Sequence, residues 1–296
     1  TTQPPRADSL PPPIMATPRS RSRKPALTAR NSNKYALYEE AVYEPEADYD
    51  FIQRRFRQAR GRPALRLRED FAGTSKLSAL WAKRLPQGHA WAVDLDREPL
   101  DWGRKQHIAP LGAAAARVTQ LHENVLTVET PKVDAVTAFN FSYWTFRERE
   151  IMLAYFRRAF RALNEDGLFV LDLLGGPDAQ KEIEEPRRCK GFTYVWEQMP
   201  LDAITQNLTC HIHFRFPNGS SMKKAFTYHW RLWSVSELRD LLRDAGFAQV
   251  DVYWEGEDGR GRGNGLFTKR SHAVNEDAWV AYVVAWRKPT QAKKKV

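Results

Sequence analysis

Glu69 and Asp94 are the residues of this chain best placed to do chemistry. Each closes an apolar-alternating run, one beginning at Leu65 and the other at His89. Between them lie a short turn, Phe71-Ala72-Gly73-Thr74-Ser75, and a helix-length stretch to Leu85 with Leu77, Leu80 and Trp81 on one face. Strand, acid, tight Gly turn, helix, strand and second acid make half of a nucleotide-binding α/β unit. That order places two carboxylates and a turn of backbone amides on one sheet edge. Such an edge can hold a ligand that carries both a cationic centre and a ribose.

The turn itself narrows the ligand. A dinucleotide fingerprint needs GxGxxG after its strand, and Phe71 and Ser75 stand where two of those glycines belong, leaving Gly73 alone. Phosphates need several close backbone approaches, which one glycine does not supply. No GxxxxGK[ST] occurs either.

The elements that must position these residues follow from the pattern. Lys34 to Ala59 reads as two helices broken at Glu44-Pro45, with Pro45 in a first helical turn. After Asp94, Glu98 to His107 is a helix, and Ala116 to Leu121 and Val133 to Phe139 are the third and fourth strands. The fourth is apolar nearly throughout, as a strand covered on both faces must be. Arg147 to Leu163 is a strong amphipathic helix, Asp166-Gly167 ends it, and Leu168 to Leu174 is a fifth buried strand. From Gly191 to Trp233 the period changes to two, giving three antiparallel strands inserted after strand five. Ser234-Val-Ser-Glu237 has the form of a capping box, or Ser236 is the cap, and the helix runs to Ala245 with Gly246 closing it. Val250 to Trp254 and Trp279 to Trp286 are the last strands, separated by a loop containing GRGRGNG. The expected fold is α/β: a Rossmann-like, seven-stranded, mostly parallel sheet with its last strand antiparallel, helices on both faces and an antiparallel β insertion after strand five. The expected organisation is a basic disordered tail over 1–34, a domain over 35–287 with N-terminal helices at 35–60 and an insertion or substrate lid at 178–233, and a basic tail over 288–296.

The net charge of +10 on 296 residues is unevenly placed. Residues 1–34 hold seven Lys and Arg against one Asp, and residues 287–296 hold five and no acid, so the body between them is close to neutral at −1. A nucleic-acid enzyme usually carries its basic face on the fold itself. The exception is a run of seven arginines from Arg54 to Arg68 with no acid among them, which reads as a solvated helix face and linker in preference to a polyanion groove. Cys189 and Cys210 form no CxxC pattern, which points to a reducing, cytoplasmic setting and no structural zinc. His211 and His213 share a strand face while Cys210 points away, so no metal is expected. No apolar run approaches the roughly 18 residues that span a bilayer.

At this point the chain resembles the class I S-adenosylmethionine-dependent methyltransferases, over residues 65 to 287. The acid, central Gly and Thr of their DxGxGTG-like first motif match Glu69, Gly73 and Thr74; the flanking glycines do not. Val93-Asp94-Leu95-Asp96 matches the acid that ends the second strand, Glu123-Asn124-Val125 falls at the third motif, and Phe139 to Tyr143 falls at the fourth. The resemblance implies S-adenosylmethionine as methyl donor, a sulfonium without phosphate, which suits the sparse glycines. It further implies Glu69 beneath the donor's amino group, Gly73 and Thr74 at the methionyl part, and Asp94 accepting both ribose hydroxyls. Leu95 would pack on adenine, Asn124 would take its amino group, and the Val125 amide would reach a ring nitrogen. Asn140 completes the donor site. Helix capping is the competing role for both acids.

The acceptor pocket is expected past strand four and beneath the inserted strands. Tyr143 and His229 are the candidate catalytic residues there, with His229 fitting either a pocket base or a packed residue of the run Phe226 to Trp233. Tyr35, Tyr38 and Tyr43 fit either closure over the donor or core packing. The expected activity is methyl transfer by in-line displacement to a small-molecule acceptor, with no membrane partner. Two other readings remain open: an RNA or protein methyltransferase using the tails and the Arg54–Arg68 patch, and a binding protein without turnover.

Overall fold

The computed structural model describes residues 26–259 and 263–290. The chain begins with two helices, α1 (Lys34–Val42) and α2 (Pro45–Arg60). The nucleotide-binding rhythm follows: β1 (Arg66–Asp70), α3 (Lys76–Arg84), β2 (His89–Asp94), α4 (Arg97–Gly103), β3 (Val118–His122), β4 (Val133–Ala138), α5 (Arg149–Ala162) and β5 (Leu163–Gly175). An antiparallel group comes next, β6 (Ile183–Cys189), β7 (Phe192–Gln198), β8 (Asn207–Arg215) and β9 (Ser221–Arg231). The chain then returns through α6 (Val235–Asp244), β10 (Gln249–Glu257), β11 (Gly263–Arg270) and β12 (Trp279–Trp286).

The main sheet has the order β11-β10-β12-β5-β4-β1-β2-β3. β3, β2, β1, β4 and β5 run parallel, and β12, β10 and β11 are added antiparallel. β1 sits between β4 and β2, so strand order reverses there and opens a crevice beyond the carboxyl ends. Each face is filled by its own apolar cluster. α5 and α6 supply Tyr155, Phe156 and Leu238 to one. α2 and α3 supply Ile52, Phe56 and Trp81 to the other. All six residues of β4 are buried between them. The insertion forms a separate four-stranded sheet, and α1 lays Leu37 and Ala41 against its Tyr194, Ile212 and Phe214.

Several expectations need correction. The main sheet has eight strands, not seven, because β11 forms within the stretch read as a loop. Its sequence GNGLFTKR is mostly exposed and lacks the apolar alternation that marks a strand with a buried face. The insertion has four strands, not three. β6 carries Pro186 and is exposed along most of its length, as an edge strand tolerates. The helix expected over 98–107 is α-helical only to Gly103 and continues as a wider π turn, Arg104–Ile108. Residues 1–25 and 291–296 of the expected tails, and residues 260–262 of the Gly-Arg loop, lie outside the described residues. Residues 26–33 do not behave as a tail: Leu27 and Ala29 pack on the insertion sheet, and the Ala29 amide donates to Ser220 Oγ at 3.0 Å. Among the described residues no helix is long and apolar enough to cross a membrane.

Candidate active site

Two backbone turns at the carboxyl edge define the site, and both are held in left-handed conformations. In the turn after β1, Phe71, Gly73 and Ser75 have φ of 56°, 50° and 58°. In the turn after β4, Asn140 and Phe141 both have φ of 55°. For residues other than glycine such backbone costs of order 1 kcal/mol or more and persists only where its surroundings impose it. The imposing groups are carboxylates. Asp94 Oδ2 accepts the Gly73 amide at 2.7 Å. Asp172, on β5, accepts the Asn140 and Phe141 amides at 2.8 and 3.0 Å.

β1 divides its last residues between the two faces. Glu69 points toward α2 and α3, where Oε1 accepts from the Tyr43 hydroxyl at 2.9 Å. Its Oε2 accepts from the Ser78 amide at 2.9 Å and the Ser78 hydroxyl at 2.6 Å. Glu69 therefore does cap α3, the competing role weighed from sequence. Asp70 points the opposite way and belongs to the core: it pairs with fully buried Arg68 at 2.6 Å and accepts from Tyr155 at 2.9 Å. Asp94 is not the cap of α4. Asp96 takes that role, while Asp94 Oδ1 accepts the Asp96 amide at 2.8 Å.

The electrostatics are one-sided. Glu69 is pushed up to about 7, chiefly by burial and further by the charge of Asp48, against the pull of its hydrogen bonds. Asp48, on α2, accepts the Tyr282 hydroxyl at 2.6 Å and burial raises it to about 7. Asp172 is also raised to about 7, first by burial and then by the charge of Asp48, against the pull of the two amides. Burial raises Asp94 as well. None of these four carboxylates has a Lys, Arg or His partner among the described residues. Lys76 and His107 instead both turn to Glu39 of α1, at 3.7 and 2.7 Å. A set of acids with no internal cation suits a ligand that brings its own positive charge.

The remaining predicted donor residues follow β1, β2 and β3. The place of a Gly73 Cβ is open space. Thr74 donates to Glu39 Oε1 at 2.5 Å, which ties α1 over the turn. Leu95 is 68% exposed at the end of β2, a free apolar face. Val125 is buried, and its carbonyl accepts from Arg68. Asn124 Oδ1 accepts the Leu126 amide at 2.9 Å, so the oxygen expected to meet an adenine amino group already has a donor.

The insertion sheet covers the turn after β4 and leaves a cavity of about 210 Å³ lined by Asn140 and Phe141, by Tyr38 of α1, and by Tyr194, Trp196, Tyr228 and Trp230. Neither predicted catalytic residue faces it. Tyr143 is fully buried, its hydroxyl donates to the Asp172 carbonyl at 2.7 Å, and burial holds it well above the usual phenol range. His229 is exposed on the strand face opposite Tyr228 and Trp230, beside Thr209 Oγ1 at 3.2 Å. His211 and His213 are on that outer face too, bonded to Thr227 and Glu197. Part of the arginine run is absorbed by the fold, while Arg54, Arg57 and Arg66 are exposed. Arg68 is in the core, Arg62 bridges Asp134 and Asp166, and Arg60 binds three carbonyls.

Sequence reasoning missed Asp48 and Asp172. Asp172 had a visible signal, as the lone charge inside the buried run Leu168 to Leu174. Asp48 had none, since an acid in a first helical turn is ordinary.

Solved structures share this architecture. An S-adenosylmethionine-dependent methyltransferase from Clostridium acetobutylicum superimposes with a TM-score of 0.63 at 15% identity, covering 85% of this chain and 97% of that one. CalS10 from Micromonospora echinaspora, an amino pentose methyltransferase solved with S-adenosylmethionine bound, gives 0.61 at 18% identity over 86% and 96%. The chain has the fold of the S-adenosylmethionine-dependent methyltransferases. The sugar N-methyltransferase KedS8 from Streptoalloteichus gives 0.60 at 16% identity, over 94% of this chain and 100% of that one. Comparison with protein-family models and with curated protein sequences gives no match. The crevice at the strand reversal and the cavity under the insertion both lie at the carboxyl edge of this fold.

Proposed function

We propose that the protein is a methyltransferase that transfers a methyl group from S-adenosylmethionine to a small-molecule acceptor. One observation carries this reading: in a chain with the methyltransferase fold, Glu69 and Asp172 both feel the charge of Asp48, and none of these three, nor Asp94, has a protein cation among the described residues to balance it. When bound, S-adenosylmethionine supplies an electrophilic methyl group on a sulfonium. Glu69, with Asp48 and Asp172 behind it, sets a negative potential for the donor's cationic groups. Asp94 keeps acceptor sites for the ribose hydroxyls beside the two amides it already holds. The open space at Gly73 admits the methionyl chain, with Thr74 fixing that turn. Leu95 and the Val125 amide flank the adenine. Asn124 contributes its NH₂ there, as a donor to a ring nitrogen.

The chain's part in the reaction is alignment and exclusion of water. Asn140, fixed in a left-handed turn by Asp172, stands between the crevice and the cavity. Aromatic walls desolvate the acceptor and hold it by its flat faces. No residue is assigned as base, since Tyr143 and His229 do not reach the cavity. The amino pentose and sugar acceptors of CalS10 and KedS8 support a small-molecule acceptor here. The engagement of Arg60, Arg62 and Arg68 within the fold counts against an RNA groove. The test is S-adenosylhomocysteine release with fractionated cell extract. Release with the low-molecular-weight fraction is expected. Release only with the RNA or protein fraction would overturn the acceptor assignment, and release with none would favour a binding protein.

A further inference from the structure

We propose that the acceptor is an elongated molecule with an anionic group at the end remote from the methylated atom, and that Arg239 and Arg270 seat that group. The inference rests on the methyltransferase reading and extends it outward from the acceptor cavity. Leu174, near the end of β5, lines that cavity and also a groove of about 600 Å³ that passes between Gly176, Trp233 and α6. The groove shares Val235, Arg239, Asn275 and Trp279 with a third recess of about 400 Å³, bounded by Val252, Trp254 and Arg270. The three spaces thus adjoin in series, the first two at Leu174 and the last two at four shared residues. The strands along them are in register: Trp279 pairs with Gly175, Ala281 with Trp254, and Val252 with Arg270. β11 is three strands beyond β5, roughly 14 Å at the usual interstrand spacing.

The chemistry of this series changes along its length. Its middle is apolar, with the Trp254 and Trp279 rings 4.4 Å apart and Val235 and Val252 beside them. Its far end is cationic. The acids there are already balanced. Asp251 pairs with Lys269 at 2.7 Å and accepts from Gln249 and Trp286. Glu237 is engaged by Ser234 and by Arg231 at 2.8 Å, and Asp240 pairs with Arg243. His272 adjoins Ser271. Arg239 and Arg270 have no hydrogen-bond or ion-pair partner among the described residues, and Arg239 Nε is buried without an acceptor. Guanidinium forks match carboxylate and phosphate geometry, and two in one recess select an anion.

The probes are 1-naphthyl phosphate, 1-naphthoate and 1-naphthol, each titrated calorimetrically into the full chain at low salt. At least one of the two anions should bind ten times or more tightly than the neutral naphthol, and added salt should weaken it. The R239M/R270M variant should lose that advantage at least tenfold. The tighter anion identifies phosphate or carboxylate as the natural group. Equal affinity for all three probes, undetectable binding of both anions, or an unchanged affinity in the variant would each overturn the proposal. S-Adenosylhomocysteine titrated into the same two proteins should bind both alike. Its failure to bind either would count against the methyltransferase reading without touching the result for the groove.

Discussion

The Gly73 amide donates to Asp94 Oδ2 at 2.7 Å, and this bond joins the turn after β1 to the end of the neighbouring strand β2. One carboxylate thus shapes the turn after β1 and, in the proposed function, accepts the ribose hydroxyls. Asp94→Ala removes the acceptor of two backbone amides and the proposed acceptor of the ribose. Donor affinity should fall at least thirtyfold, about 2 kcal/mol for lost charge-assisted bonds. Asp94→Asn, which keeps one acceptor oxygen, should lie between. Isothermal titration of the two variants checks the order.

Glu69, Asp48 and Asp172 all rise to about 7 in the fold. In the unfolded chain they titrate near the ordinary value of about 4. The folded protein therefore holds these protons longer, and ligand-free stability should fall as pH rises from about 4 to about 7, then level off. Donor binding should run the other way, tightening as pH rises through 7 because the ligand's cation draws protons off the acids. Glu69→Gln should flatten both trends while keeping a side chain of the same shape against Tyr43 and Ser78. Melting curves with and without donor from pH 4.5 to 8 measure this. A ligand-free melting temperature that rises across the window would contradict the arrangement.

Gly103 packs α4 against the turn after β1 so closely that a Cβ would meet the Thr74 carbonyl oxygen at 1.9 Å. Backbone on both sides cannot give way cheaply. Gly103→Ala should destabilise by about 2–3 kcal/mol, as overpacking does, and should weaken donor binding through the displaced turn. Gly73→Ala meets open space and keeps the packing, yet forces a left-handed Ala, so its larger effect should be on donor affinity. Comparing the two by urea unfolding and by donor titration separates packing from occupancy.

Arg68 and Asp70 form a buried pair at 2.6 Å, completed by Tyr155 and the Val125 carbonyl. Arg68→Ala strands a buried carboxylate and should cost about 3–5 kcal/mol in urea unfolding. Replacing both by apolar residues of similar volume should recover most of that loss.

Alternating strands and helices were legible from Glu69 onward because hydrophobic period and turn residues act locally. β1, α3, β2, β4 and α5 fall where their periodicity puts them. The capping box at Ser234 and Glu237 is present for the same reason. β6 and β11 were not legible: each is held by pairing with a neighbour and buries little, so neither carries a face pattern. The same division runs through the site. Glu69 and Asp94 close strands and can be found by position. Asp48 and Asp172 matter through Tyr282, Asn140 and Phe141, partners that only the folded chain brings near. His229 looked accessible to the pocket by its aromatic neighbours, but strand alternation turns it to the outer face, away from Tyr228 and Trp230.

Titration of the pure folded chain with S-adenosylmethionine tests directly whether these carboxylates receive a cationic nucleoside. Saturable binding at one site per chain is expected, abolished or greatly weakened by Asp94→Ala and tighter at pH 8 than at pH 6. Absence of binding to protein that melts cooperatively would contradict it.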